Sequence, residues 1–437
     1  MKKVISLLLL MPVMIYAMNI EEAVQNAIST NPKIEVKKEG LSSEKELLST
    51  SKSDYLPSLD LSYSVGPETT KTIANSREDV DVIRQNASVT LTQNIFAGFD
   101  TQEAVKQQKA LILSADESVK EIANSVALEM VSAYIGVLKS KELLDIAQKN
   151  IDVHKKYLDQ MKEKIDSGVG RSSDYKQTLS RYENTQSTYY FSEQNYKNSL
   201  YEFQRILPGE ITVSSLTKPS TSTLPAQNIE DLVSMALKNN PTIHKSNANV
   251  KYAKATLERS GAFYYPSLDL QAQTYWNKNN NGYSKDDEGR GTGGNPYVEE
   301  NGYNAMLLIN YNIFNGLSDT STEESNRHKL LQEKSSLADT KRYIESITKT
   351  AYQVFESTKK QLVHIEKNIG ASSETVKQYQ QEHNLGRRSI IDLLNIELEY
   401  NAAQNRKVIA EYNRILAYYQ ILSFTGEILP TMSVSIE

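Results

Sequence analysis

From Ser58 to Val65 the chain alternates. Leu59, Leu61, Tyr63 and Val65 fall on one side and Ser58, Asp60, Ser62 and Ser64 on the other, the period of two that gives a strand one dry and one wet face. The same alternation predicts strands over Ala87–Phe96, Leu268–Trp276 and Asn304–Phe314. Each is close to the 9–11 residues of a tilted membrane strand. An ordinary half-buried soluble sheet alternates in the same way, so no single segment decides between the two. The polar stretches Gly66–Asn86 and Asn277–Gly302 read as connections, placed on the extracellular side.

Between the strand pairs the period changes. From Thr101 to Ser167 there is no proline and one glycine, Gly136, while Leu144, Ile151, Leu158 and Ile165 fall seven apart. From Leu317 to Leu385 the one glycine is Gly370, and Ala351, Phe355, Thr358, Leu362, Ile365 and Ile369 alternate steps of four and three. These are heptad seams. They predict two long helices over about 101–167 and 317–385, each extending roughly 100 Å. Shorter helices are expected over 172–206 and 389–424, and two more over Lys33–Asp54 and Thr242–Tyr264.

The pattern is written twice. Asn19-Ile-Glu-Glu-Ala-Val returns as Asn228-Ile-Glu-Asp-Leu-Val, Asn31-Pro-Lys-Ile as Asn240-Pro-Thr-Ile, and Pro57-Ser-Leu-Asp-Leu at Pro266. Asn94-Ile-Phe-Ala-Gly returns as Asn312-Ile-Phe-Asn-Gly, and Gly168–Asp174 is answered by Gly386–Asp392. Two repeats, 18–227 and 228–437, are therefore expected, with an insertion in the polar connection of the second.

Lys2-Lys3 and the apolar run from Val4 to Ala17 have the form of a secretory signal peptide over 1–17, too short to span a bilayer. No later run reads as a membrane helix, so a membrane location has to rest on strands. A formal charge of −5 without a basic stripe argues against nucleic acid, and the absence of cysteine excludes disulfides and thiolate metal sites. His154, His244, His328, His364 and His383 are scattered without a metal-ligand or general-base spacing. Gly168-Val-Gly170 is no dinucleotide fingerprint. Neither an enzyme nor a cofactor is indicated.

Four membrane strands cannot close a barrel, and open edges in lipid leave backbone groups unpaired. Copies of the chain have to supply the rest, eight strands in a dimer or twelve in a trimer. Ser, Asp, Asn and Gln on the inner face suit the wider, wetter lumen of three chains.

Local chemistry concentrates at the two helical turns. Gly168 and Gly386 suit the left-handed residue that ends a helix, and Ser172, Ser173 or Ser389 the cap of the next one. Asp174 and Asp392 then fall in first turns, where the helix dipole favours a carboxylate, a role that needs no channel.

The doubled unit, the Tyr-Leu-Pro-Ser-Leu-Asp-Leu and Tyr-Tyr-Pro-Ser-Leu-Asp-Leu strand entries, the Asn-Ile-Phe-x-Gly exits and the paired turns resemble the TolC family of outer-membrane channel proteins. The resemblance covers essentially all of the chain after residue 17. It implies a homotrimer, a twelve-stranded barrel in outer-membrane lipid continuing into an α-helical coiled-coil tunnel across the periplasm. It also implies a periplasmic adaptor and an inner-membrane ABC transporter, or an RND pump, as partners. Gln93-Asn-Ile-Phe-Ala-Gly-Phe, Gly168-Val-Gly-Arg-Ser-Ser-Asp and Leu385-Gly-Arg-Arg-Ser-Ile-Ile-Asp look most like the branch serving type I secretion of large unfolded proteins. Multidrug efflux is the alternative, and a coiled-coil envelope protein without a pore the alternative of another class. By the resemblance, Asp392 belongs to an acidic ring at the aperture, Arg388 and Asp174 to polar latches that hold it shut, and Gly168, Gly170, Arg171, Gly386 and Arg387 to hairpin tips that meet the adaptor. Asn395 stands where some members are acidic and His383 where some carry tyrosine, which makes the ring less negative and gives the latch an imidazole.

Overall fold

The computed structural model describes residues 18–71, 79–209, 216–221, 223–284 and 299–436. The expected leader over 1–17 and the ends of the two strand connections, 72–78 and 285–298, lie outside them. The elements run α1 (Ile20–Thr30), α2 (Pro32–Ser53), β1 (Ser58–Lys71), β2 (Asp79–Ala97), α3 (Asp100–Asp166) and α4 (Ser172–Ile206). The same order follows as α5 (Ile229–Asn239), α6 (Pro241–Ser260), β3 (Ser267–Ser284), β4 (Glu299–Asn310), α7 (Ser318–Asn384) and α8 (Ile390–Phe424), then a short α9 (Ile428–Thr431). The recurring Asn-Ile-Glu is a helix cap. Asn19 accepts from the Glu22 N–H and Asn228 from the Asp231 N–H, each at 2.7 Å.

Two compact units form, and each draws on both halves of the chain: residues up to Lys38 with Asp116–His244 and Ala338–Glu437, and Glu39–Ala115 with Lys245–Leu337.

The second unit carries one antiparallel sheet in the order β1-β2-β3-β4. Its register sorts side chains by row. Leu59, Leu91, Ala272 and Ala305 face one another across the four strands, as do Leu61, Val89, Thr274 and Tyr303. On the opposite face Asp60, Thr90, Gln273 and Asn304 form a wholly polar row. The dry face is uncovered: Leu61 is 79% exposed and Ile309 68%. That separates this sheet from a half-buried soluble one, which covers its apolar face with a second layer. Among the described residues β1 and β4 each have a free edge.

The strands are longer than the alternation predicted, at 14, 19, 18 and 12 residues. Much of Gly66–Asn86 and Asn277–Gly302, expected as connections, is therefore ladder. Backbone pairing continues where the dry side itself turns polar, as where Val65 is followed across the sheet by Gln85, Lys278 and Glu299, because the ladder needs only N–H and C=O groups. β4 ends early, at Asn310 rather than Phe314, since its partner β3 starts at Ser267, which faces Asn310.

The first unit is helical around a core of α1, α3 and α8. Ala123, Val126, Ala127, Met130 and Tyr134 of α3 pack with Ile20, Val24 and Ile28 of α1 and with Tyr418 and Leu422 of α8. The buried Tyr134 hydroxyl lies 2.8 Å from the Met18 and Thr217 carbonyls and accepts from the Thr217 N–H at 2.9 Å. Contrary to expectation, one stretch of α3 is long and apolar enough to cross a membrane by length and composition. Packing in this core accounts for its hydrophobicity, since one face serves α1 and α8.

Candidate functional site: the two helical hairpin tips

Both long helices stop in the same way. The Gly168 N–H donates to Ile165 C=O and the Val169 N–H to Lys164 C=O, and Gly386 and Arg387 repeat the pattern on His383 and Glu382. This is the Schellman arrangement. It requires a left-handed residue, and Gly168 and Gly386 sit at φ +75° and +73°. Gly170 is held by space instead: a Cβ there would lie 2.9 Å from the Ile165 nitrogen. The turns leave Val169 82% and Leu385 70% exposed, beside the exposed Arg171 and Arg387.

The helices that follow begin differently. Ser389 caps α8 as predicted: its hydroxyl donates to Asp392 Oδ2 at 2.7 Å and accepts from the Asp392 N–H at 3.1 Å. The α4 cap is Arg171, which gives no side-chain bond, so neither Ser172 nor Ser173 fills the expected role. They already lie inside the helix, and Ser173 donates to Asp174 at 3.2 Å instead.

Arg388 is engaged within its own hairpin. Its Nε donates to Glu382 Oε2 at 2.8 Å and its guanidinium carbon lies 4.0 Å from the Tyr379 ring centroid. The Glu382 carboxylate holds the guanidinium above its ordinary pKa. No Arg388–Asp174 bond occurs among the described residues. His383 donates from Nδ1 to the Arg388 carbonyl at 2.7 Å, so the imidazole braces the turn backbone. Asn395 accepts from Arg181 of α4 at 2.7 Å, which ties the two hairpins together above their tips. Below that bond Tyr157, Met161, Ile390, Leu393 and Leu394 make a small buried cluster, flanked by Tyr175 and Tyr379.

One layer up, His154 is fully buried. Neither of its ring nitrogens, nor Nη1 of Arg181, has a hydrogen-bond partner among the described residues. Burial, with the Arg181 charge second, lowers the imidazole to about 4. Burial likewise raises the Glu397 carboxyl above its usual range and, with Glu397 adding, pushes Tyr157 up to about 12. The sequence had signalled Asp392, Arg388, His383 and Asn395; it did not single out Glu382, Tyr379 or Arg181. Tyr379 and His383 stand one helical turn apart, which was the available sign that both face the same turn. No group of residues suited to a metal occurs among the described residues.

The model of the outer membrane efflux protein family matches residues 23–208 and 232–427, with one match in each half of the chain. The chain belongs to this family. Its relatives include outer membrane efflux protein BepC of Brucella suis biovar 1 (strain 1330), 20% identical over 407 residues, 92% of this chain and 84% of that one. Outer membrane protein TolC of Escherichia coli (strain K12) is 20% identical over 416 residues, 94% and 82% of the two chains. Proteases secretion protein PrtF of Dickeya chrysanthemi is 18% identical over 239 residues, 52% of each. In fold the chain is similar to the CmeC outer membrane channel of Campylobacter jejuni, with a TM-score of 0.79 at 14% identity over 94% and 86% of the chains. It is also similar to VceC of Vibrio cholerae, with 0.77 at 10% over 96% and 97%. The fold is thus that of the outer-membrane channels, its location the outer membrane, and its general role that of an efflux channel in tripartite export systems.

Proposed function

We propose that three copies form a twelve-stranded exit duct that serves type I protein secretion, docked by a periplasmic adaptor and an energised inner-membrane ABC transporter. The sheet carries this reading. Four strands with an uncovered apolar face and two free edges satisfy their backbone in lipid only by pairing with further copies. The polar row of Asp60, Thr90, Gln273 and Asn304 suits a water-filled lumen, which twelve strands enclose and eight do not. A pore-free coiled-coil protein has no use for such a sheet. At the periplasmic end Asp392 supplies the acidic ring, and the exposed Val169, Arg171, Leu385 and Arg387 beside Gly168, Gly170 and Gly386 offer the adaptor its contact. Residues 1–17 direct export and are removed, and the two repeats, 18–227 and 228–437, build the wall.

The secretion branch is favoured by the tip motifs and by PrtF, whose name concerns protease secretion. Drug efflux is the second reading, favoured by the family description and by BepC. Deleting the gene separates them. Loss of a major protein from the medium with unchanged drug tolerance fits secretion, and hypersensitivity with an intact secretome fits efflux. Purified protein in detergent should run at about three times the 49.2 kDa chain, less the leader. A pore-forming monomer would contradict the assembly.

A further inference from the structure

The strands of the sheet are themselves a repeat. β1 matches β3 through Pro57-Ser-Leu-Asp-Leu and Pro266-Ser-Leu-Asp-Leu, and β2 matches β4 through Asn94-Ile-Phe and Asn312-Ile-Phe. Inside the chain β2 pairs with β3, whereas the outer edges of their counterparts, β4 and β1, have no strand beside them among the described residues. The inner pairing is a template for the outer one, residue by residue.

In that inner pairing Val89 faces Thr274, Leu91 faces Ala272, Gln93 faces Leu270 and Asn94 faces Asp269, after which Ile95 is skipped and Phe96 faces Leu268. On the polar face Asn94 Nδ2 donates to Asp269 Oδ1 at 2.7 Å, tying the Asn of one motif to the Asp of the other. Carried to the counterparts, the register sets Leu307 against Val65, Ile309 against Tyr63, Tyr311 against Leu61, Asn312 against Asp60 and, past a bulge at Ile313, Phe314 against Leu59. Exposure shows what these edges lack. Leu91 is 36% exposed and its counterpart Ile309 68%, while Leu270 is 39% exposed and its counterpart Leu61 79%.

The copied register meets two requirements it was free to miss. Side chains alternate faces with a period of two, so a slip of one residue would set Leu61 and Tyr63 against the polar face of β4; the copied pairs join dry residues to dry ones and Asp60 to Asn312. A barrel also closes only when its register staggers around the ring. The rung from Leu59 passes Leu91, Ala272 and Ala305 and in the copied register reaches Pro67 of the next copy, eight residues farther along the strand. Pairing of this kind also extends β4 from Asn310 to Phe314, where its side-chain alternation ends.

We propose that β4 of one copy pairs antiparallel with β1 of the next in this register, and that Asn312 of the first donates to Asp60 of the second across the polar face. The proposal rests on the three-copy reading above and names the contact that closes the barrel. In the single chain Asp60 accepts from the Ser58 hydroxyl at 3.4 Å; across the seam it gains an amide donor, and a hydrogen bond to a carboxylate is the stronger kind. Each copy then carries the Asn–Asp rung twice, once within the chain and once between chains. Backbone ladders accept a slip of two residues without losing a face, so the rung and its bulge are what hold the register.

The chain has no cysteine, so paired cysteines report the register directly. The double variants Ser62→Cys with Asn310→Cys and Tyr63→Cys with Ile309→Cys place thiols on facing residues of adjacent rungs, one of which is the closer, non-hydrogen-bonded kind. Ser62→Cys with Leu308→Cys is the control, slipped by two residues and beyond disulfide reach. Oxidised with copper phenanthroline in outer-membrane fractions, the full-length protein should give reducible cross-linked species of up to three copies from at least one facing pair, which the slipped control lacks. Asn312→Asp sets two carboxylates together and should lower the temperature at which trimers dissociate in detergent; adding Asp60→Asn leaves one carboxylate facing one amide and should restore it. Cross-linking of the slipped control in preference to both facing pairs would overturn the register, as would Asn312→Asp trimers as heat-stable as wild type. Trimers in which neither facing pair cross-links would overturn the register alone. Cross-linked species that stop at two copies would overturn the three-copy reading and leave the register standing, whereas a monomer without cross-links from any pair would overturn both.

Discussion

Arg388 donates to Glu382 at 2.8 Å while stacking on Tyr379, so the cation expected to reach Asp174 is held inside its own turn. Solvent screens so exposed an ion pair, and the cation–π contact adds to it. In the proposed trimer the contact would recur three times and bias a two-state aperture. Arg388→Ala should raise closed-state conductance in planar bilayers, and Arg388→Lys, which keeps charge but not the planar stack, should fall between. Asp174→Ala alone should change little. An Asp174→Ala effect as large as that of Arg388→Ala would restore the cross-hairpin latch.

Asp392 pairs with Ser389 through a geometry that asparagine can keep. Asp392→Asn should therefore preserve the α8 cap and melting temperature while reducing cation selectivity and block by multivalent cations from the periplasmic side. Unaltered reversal potentials in ion gradients would place the selectivity elsewhere.

His154 should make the helical unit acid-sensitive. Its folded pKa of about 4 lies below the ordinary 6.5, so between those values the unfolded chain binds a proton that the folded chain refuses. The stabilisation is complete above pH 6.5 and drains away as pH falls toward 4, by up to about 3 kcal/mol per chain. His154→Leu should flatten the pH dependence of thermal unfolding in that window. A slope identical to wild type would assign acid lability to other groups.

The sheet rows give a paired test. Leu61→Lys puts a charge on the dry row, at a cost of about 2–4 kcal/mol near the bilayer midplane, and should sharply reduce assembled protein in outer-membrane fractions. Ser62→Lys, one residue on and across the sheet, should assemble normally and lower cation conductance. Equal losses in both would mean that the two faces do not divide lipid from water.

Much of the fold was legible because it is periodic. Leu59 to Val65 could be read as a strand and Leu144 to Ile165 as a heptad seam from spacing alone. Strand ends were less legible: past Val65 the ladder continues on backbone hydrogen bonds, which side-chain alternation does not report. The Schellman turns at Gly168 and Gly386 were readable, because few other residues tolerate φ near +75°. The partners of Arg388 were not, since Glu382 and Asp174 are equally acidic in sequence and only the turn geometry selects one. His154 falls between Ile151 and Leu158 of the α3 heptad seam, so its burial was readable from spacing, whereas its want of a hydrogen-bond partner among the described residues was not.

Where β2 leads into α3, Gly98 and Phe99 are both left-handed, at φ +62° and +72°. A Cβ on Gly98 would lie 2.5 Å from the Ala262 carbonyl, and Phe99 stacks edge-on against Tyr265 at 5.3 Å. The twin junction, Gly316 and Leu317, repeats the dihedral angles at +59° and +66° but finds nothing near Gly316. By the spacing of the repeats, the counterparts of Ala262 and Tyr265 are Ser53 and Leu56. Leu56 and Leu317 are each 67% exposed within the single chain. In the proposed ring of identical copies, the handshake made once inside each molecule would be made again between molecules, Leu317 of one against Leu56 of the next. Every wall junction would then have one geometry although only half lie within one chain, and a mutation at Gly316 should act as a lesion of assembly where the same change at Gly98 acts as a lesion of folding.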